Sequence, residues 1–98
     1  MIFLVQARKP FFTAYSQPTR AKRMVTGYVL ITTRPGKEYD VASELRRIQN
    51  VVDVDITYGL WDIIAKIEAP SMVEFDRTIA KIRGIKDIEQ TATLVSHA

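Results

Sequence analysis

The sequence predicts an α+β domain of the ferredoxin-like type, βαββαβ, with a four-stranded antiparallel sheet, two helices on one face and strand order 4-1-3-2. Three observations carry this. From Met24 onward, strand-like and helix-like periodicities alternate without a break. The first strand is apolar on both faces, which suits a central position. A Tyr58-Gly59-Leu60-Trp61-Asp62 hairpin divides two crossover units of right-handed sense.

The elements follow in order. Residues 25–33 hold Val25, Val29 and Ile31 on one alternating set and Tyr28 and Leu30 on the other. Arg34-Pro35-Gly36 is a turn. From Lys37 to Ile48, the apolar Val41, Leu45 and Ile48 lie on one helical face. Residues 51–58 alternate Val52, Val54, Ile56 and Tyr58 against Asp53, Asp55 and Thr57, the pattern of a half-exposed edge strand. Gly59 supplies the turn. Asp62 to Glu68 returns with Ile63, Ala65 and Ile67 on one face. Ser71 and Glu74 have the spacing of a capping box, and Met72, Phe75, Ile79 and Ile82 form the buried stripe of the second helix, which Gly84 caps. Residues 85–96 close the sheet, with Ile88, Gln90, Ala92 and Leu94 facing one way and Thr91, Thr93 and Val95 the other. Both helices cover one side only. The opposite face keeps apolar side chains such as Tyr28, Leu30 and Ile64, and a small protein does not leave such a face wet. A sheet-to-sheet dimer is therefore expected.

At 98 residues the chain is one domain, and 47% apolar residues exclude pervasive disorder. The charge is uneven. Residues 1–23 carry five basic side chains and no acid, whereas the remaining 75 residues carry nine basic and eleven acidic ones, so the arm's +5 outweighs a slightly acidic body to give the net +3. A basic arm can touch phosphates, but the acidic body offers no stripe for nucleic acid. Two segments are read: a basic N-terminal arm or upstream extension at 1–23, and the folded domain at 24–98. Either translation begins at Met24, or the arm is ordered, adding Ile2–Gln6 as a short strand or packing Phe11 and Phe12 on a neighbouring subunit.

Chemistry is scarce. Without cysteine, disulfides, thiolate metal sites and cysteine nucleophiles are excluded, and a reducing cytoplasm fits. The single histidine, His97, leaves no catalytic triad. No metal site, cofactor motif or phosphate loop is present, and Pro35-Gly36-Lys37 reads as a turn. Asp53 and Asp55 face solvent, unlike the buried carboxylate pairs of acid–base catalysis. The third strand lacks the aromatics that stack RNA bases. No stretch approaches the roughly 20 apolar residues of a membrane helix. The hairpin is left. Trp61 and Tyr58 offer area with a polar tip, and Asp62 can accept hydrogen bonds from a ligand's ammonium or amide, or from backbone N–H groups of its own turn. The same residues could equally shape the turn and plug an interface.

The segments VTGYVLITTRPGKE, VVDVDITYGLWDIIAKIEAPS and IKDIEQTATLVS, and above all the Gly-x-x-Asp hairpin of Gly59 and Asp62, resemble the effector-binding (RAM) domain of the Lrp/AsnC transcription regulators. The resemblance covers about three quarters of the chain. It implies sheet-mediated dimers that assemble into octamer-like rings and bind an amino-acid effector between dimers. Tyr58, Gly59, Leu60, Trp61 and Asp62 would line the pocket, and Thr91 and Thr93 would add hydroxyls. Family regulators place a helix-turn-helix before this domain, and residues 1–23 are too short for one. The resemblance thus implies a stand-alone, non-enzymatic cytoplasmic module that modulates transcription by joining a full-length Lrp/AsnC-type regulator, without sequence-specific DNA binding of its own. The alternatives are a small dimeric α/β-barrel enzyme of cofactor-free monooxygenase type, which would need a polar cavity near Asn50, Tyr28 or His97 beneath the helices, and a pure protein-interaction module.

Overall fold

The computed structural model describes residues 24–96, so the arm, its Ile2–Gln6 strand and His97 lie outside the described residues. The elements run β1 (Val25–Thr33), α1 (Glu38–Arg46), β2 (Val51–Ile56), β3 (Ile63–Ala69), α2 (Met72–Arg83) and β4 (Ile88–Ser96). The sheet is antiparallel throughout, in the expected order β2-β3-β1-β4.

Pairing register decides what each face carries. Gly27 faces Ile67, Val29 faces Ala65 and Ile31 faces Ile63, so these six positions share one face. Against them α1 sets Val41, Ala42 and Leu45, and α2 sets Phe75 and Ile82; all are at most 1% exposed apart from the glycine, which is also buried. The Val, Leu, Ile and Phe side chains among them each stabilise the fold by about 1.5–3 kcal/mol on burial. Gly27 makes room for the largest of them. A Cβ there would lie 2.5 Å from Phe75 Cζ and 2.7 Å from the Leu94 carbonyl, so the strand glycine marks a close helix–sheet approach.

On the opposite face the same register aligns Tyr28 with Lys66 and Leu94, and Leu30 with Ile64 and Ala92. These residues are half-buried, except Leu94, which is exposed. Among the described residues no helix covers this side, as the sequence predicts.

Five local expectations need correction. Val52 is exposed, because the β2–β3 register shifts between Val51 and Asp53 and takes Val52 out of the alternation; Val51 packs on the core in its place. Ile88 does not share a face with Gln90, Ala92 and Leu94. A second irregularity opposite Thr32 and Thr33 displaces Glu89, so Ile88 pairs with Thr33 and packs against the core. Met72 is exposed, and the buried α2 stripe is Phe75, Thr78 and Ile82, beginning one turn later. The capping box is half made: Ser71 Oγ accepts from Glu74 N–H at 3.2 Å, but the Glu74 carboxylate turns to Arg77 at 2.9 Å. Finally, β2 ends at Ile56, so residues 57–62 form a six-residue loop where a tight turn was expected, and Tyr58 is fully exposed.

Candidate functional site: the hairpin end of the sheet

Three loops meet at one end of the sheet, where β1 and β2 finish and β3 and β4 begin: residues 34–37, 57–62 and 84–87. The hairpin has a bonded base and a free tip. Thr57 N–H donates to the Asp62 carbonyl at 2.8 Å, and Thr57 Oγ1 donates to the Trp61 carbonyl at 2.7 Å. Asp62 N–H donates to the Ile31 carbonyl at 2.9 Å. Above this base the chain turns through Gly59, whose φ of 122° is costly for any side-chain-bearing residue. Tyr58 and Leu60 point outward, the latter 82% exposed, while Trp61 and Asp62 are half-buried.

Asp62 differs from its sequence reading in one respect. Its Oδ2 accepts a backbone N–H at 2.8 Å, but from Thr33 on β1 and not from its own turn. The β1–β3 ladder ends at Ile31 and Ile63, and the carboxylate extends it by one side-chain link. That satisfies a donor that would otherwise be unpaired at a buried residue, Thr33 being 5% exposed. A carboxylate has two oxygens with several lone pairs, so acceptor capacity is left for a ligand.

The five hairpin residues are thus together, but the two threonines stand apart. Thr91 and Thr93 pair with Ile31 and Val29 on the far side of β1. Two strand spacings, about 10 Å, separate Thr91 from the start of β3. Thr91 is half-buried and Thr93 exposed, both on the helix side of an edge strand.

Two grooves of the described surface lie away from the hairpin. One of about 670 Å³ runs between the helices and is lined by Lys37, Asp40, Glu44, Lys81, Lys86 and Asp87, among others. Another of about 220 Å³ borders β2, where Arg46 Nη2 donates to the Val54 carbonyl at 3.3 Å. The space between sheet and helices, where the alternative enzyme reading needs a polar cavity, is filled by the apolar core. Asn50 there donates to the Thr78 hydroxyl at 3.0 Å, and Tyr28 lies on the opposite face.

Sequence reasoning missed Thr33, Arg34 and Asp87. The last two join the turns around the hairpin by a 2.9 Å backbone bond and an ion pair at 3.7 Å. It also missed the left-handed backbone of Asn50 and Asp87, φ 81° and 74°. Asn and Asp tolerate that region better than most residues, which was the available signal.

This architecture, a filled helix-covered core with a bonded loop end and an open sheet face, defines a small ferredoxin-like domain built to present surfaces. Residues 26–97 match the Lrp/AsnC ligand binding domain. The chain belongs to that family. It is 37% identical over 75 residues to an uncharacterized HTH-type transcriptional regulator of Pyrococcus furiosus, a match covering 72% of this chain and 50% of the relative. It is 29% identical over 84 residues to the HTH-type transcriptional regulator FL11 of the same organism, covering 86% and 56%. The chain spans about half the length of these curated relatives. Among solved structures, FFRP-DM1 superposes with a TM-score of 0.71 at 32% identity, covering 74% of this chain and 99% of that one. The Neisseria meningitidis transcriptional regulator NMB0573, solved as an L-Met complex, shares the fold with a TM-score of 0.70 at 14% identity, covering 97% of this chain and 66% of that one.

Proposed function

We propose that this domain is an amino-acid effector-binding and oligomerisation module in transcription regulation. Subunits associate through the open sheet face and take a free amino acid at the hairpin end. The observation that carries the reading is the hairpin itself: a hydrogen-bonded base holding the half-buried Asp62 and Trp61, beneath a Tyr58–Leu60 tip exposed among the described residues. An exposed aromatic and aliphatic pair suits a contact with a second subunit. Asp62 retains acceptor capacity for an ammonium group. Among the described residues the hairpin stands out as a lip at the sheet end, and in this reading a neighbouring subunit completes the site. Thr91 and Thr93 lie on β4, beyond β1 from the hairpin, and would line the site from a neighbouring subunit. The fold neighbour with bound L-Met supports the ligand class. Mixed assembly with a full-length Lrp/AsnC-type regulator would carry the signal to DNA, in the cytoplasm.

The test is thermal unfolding of the purified protein against each of the twenty amino acids at millimolar concentration. A ligand at about 100 times its Kd stabilises by roughly 2.7 kcal/mol. A selective upshift of several degrees is expected, lost in Tyr58→Ala. No upshift with any amino acid would remove the effector reading and leave an assembly module.

A further inference from the structure

We propose that Asp87, on the turn entering β4, is a positioning residue for the hairpin. It acts through Arg34 and Thr33 on Asp62, so that three turns distant in sequence form one unit linking the hairpin to the groove between the helices. The chain of contacts is continuous. The Asp87 carbonyl accepts Arg34 N–H at 2.9 Å, and its side chain, 11% exposed, pairs with the Arg34 guanidinium at 3.7 Å. The Arg34 carbonyl accepts Thr33 Oγ1 at 3.1 Å and Lys37 N–H at 3.0 Å. Thr33 N–H donates to Asp62 Oδ2 at 2.8 Å. The single dipeptide Thr33-Arg34 is therefore held from the hairpin on one side and from the α2–β4 turn on the other.

The ion pair contributes little, because the Arg34 side chain is 64% exposed and screened by water. The backbone bond and the left-handed turn matter more. Asp87 sits at φ 74°, a conformation that aspartate and asparagine adopt at modest cost and alanine does not. The turn thus depends on the residue type at 87, and Arg34 depends on the turn.

Asp87 and Lys37 also line the groove between α1 and α2. A group that draws the Asp62 carboxylate away from Thr33 N–H would loosen Arg34 and, with it, Asp87 and the mouth of the groove. The influence of the groove on the hairpin must be equal, since coupling free energies are reciprocal. The regulatory use of this linkage rests on the effector reading of the hairpin; the linkage itself does not.

Hydrogen exchange on the whole chain without added ligand tests it, using wild type, Asp62→Ala, Asp87→Ala and Asp87→Asn. In Asp62→Ala, exchange should rise several-fold at the Arg34 amide, which Asp62 does not touch, as well as at Thr33. In Asp87→Ala it should rise several-fold at Thr33 and Asp62, while the Ala65 and Ile67 amides of β3 keep their protection. Asp87→Asn, which retains the left-handed turn, should restore most of the protection at Thr33 and Asp62. Exchange that rises only at the directly bonded partner would overturn the proposal, and so would a uniform rise across β1, β3 and β4. If no amino acid shifts unfolding yet the exchange pattern appears, the linkage stands and the effector reading falls. A ligand shift without the exchange pattern gives the reverse.

Discussion

The two faces of the sheet are built from the same four strands yet obey different rules. Facing the helices, Val29, Ile31, Ile63, Ala65 and Ile67 are completely buried and share one apolar core with Leu45, Phe75 and Ile82. Facing away, Tyr28, Leu30, Ile64 and Ala92 are only half-buried, Leu94 is 54% exposed, and Lys66, Glu68, Asp53 and Asp55 are interspersed. The first face is a finished core. The second keeps an apolar centre of Tyr28, Leu30, Ile64 and Ala92 with charged residues towards β2, and no described helix covers it. One face holds the subunit together, and the other is the face we propose for a second subunit.

Breaking the finished face should have the largest effect. Phe75→Ala removes the largest fully buried side chain and should cost about 3–5 kcal/mol in urea unfolding. Gly27→Ala attacks the same contact from the strand side and should cost about 1–3 kcal/mol by overpacking; a neutral result would mean that α2 can lift off β1.

Next comes the link between the sheet and its loop end. Asp62→Ala leaves Thr33 N–H without its acceptor at a buried residue, so a loss of about 1–3 kcal/mol is expected. Asp62→Asn, which keeps an acceptor oxygen, should lose less. For that reason Asp62→Ala alone cannot assign a binding role, and the Asn variant is the sharper probe of ligand affinity.

The open face should respond in assembly and hardly in stability. Leu30→Lys should change subunit stability by less than about 1 kcal/mol, because the lysine stem covers the same surface, while shifting the mass in light scattering towards the monomer. The smallest effect on folding belongs to the tip. Tyr58→Ala and Leu60→Ala should fall within about 0.5 kcal/mol of wild type in chemical denaturation, although Tyr58→Ala abolishes any amino-acid-dependent upshift.

The comparison also shows what the sequence could reveal. The two-faced apolarity of β1 placed it centrally, and the alternation of Ile63, Ala65 and Ile67 gave the correct face of β3, because hydrophobic period and burial are the same information. The shifts at Val52 and Glu89 left no such trace: a bulge inserts a residue without requiring a particular side chain. Met72 fits the apolar spacing but lies exposed, and the helix buries Thr78 instead, a hydroxyl made affordable by bonds to the Glu74 carbonyl and Asn50. The hairpin was legible as a cluster of unusual residues. The partner of Asp62 was not, because Thr33 lies 29 residues upstream and long-range pairing of a side chain with a backbone amide has no local signature. The arm and the boundary proposed at residue 23 await the same physical test by truncation, where residues 24–98 should remain folded and self-associating.

The most direct test of the account is the molar mass of the purified protein by light scattering at micromolar concentration, with Leu30→Lys measured alongside. A wild-type mass of two or more subunits that falls towards one in the variant is the predicted result. A wild-type monomer, or an oligomer unmoved by Leu30→Lys, would contradict the assignment of the open sheet face as the interface.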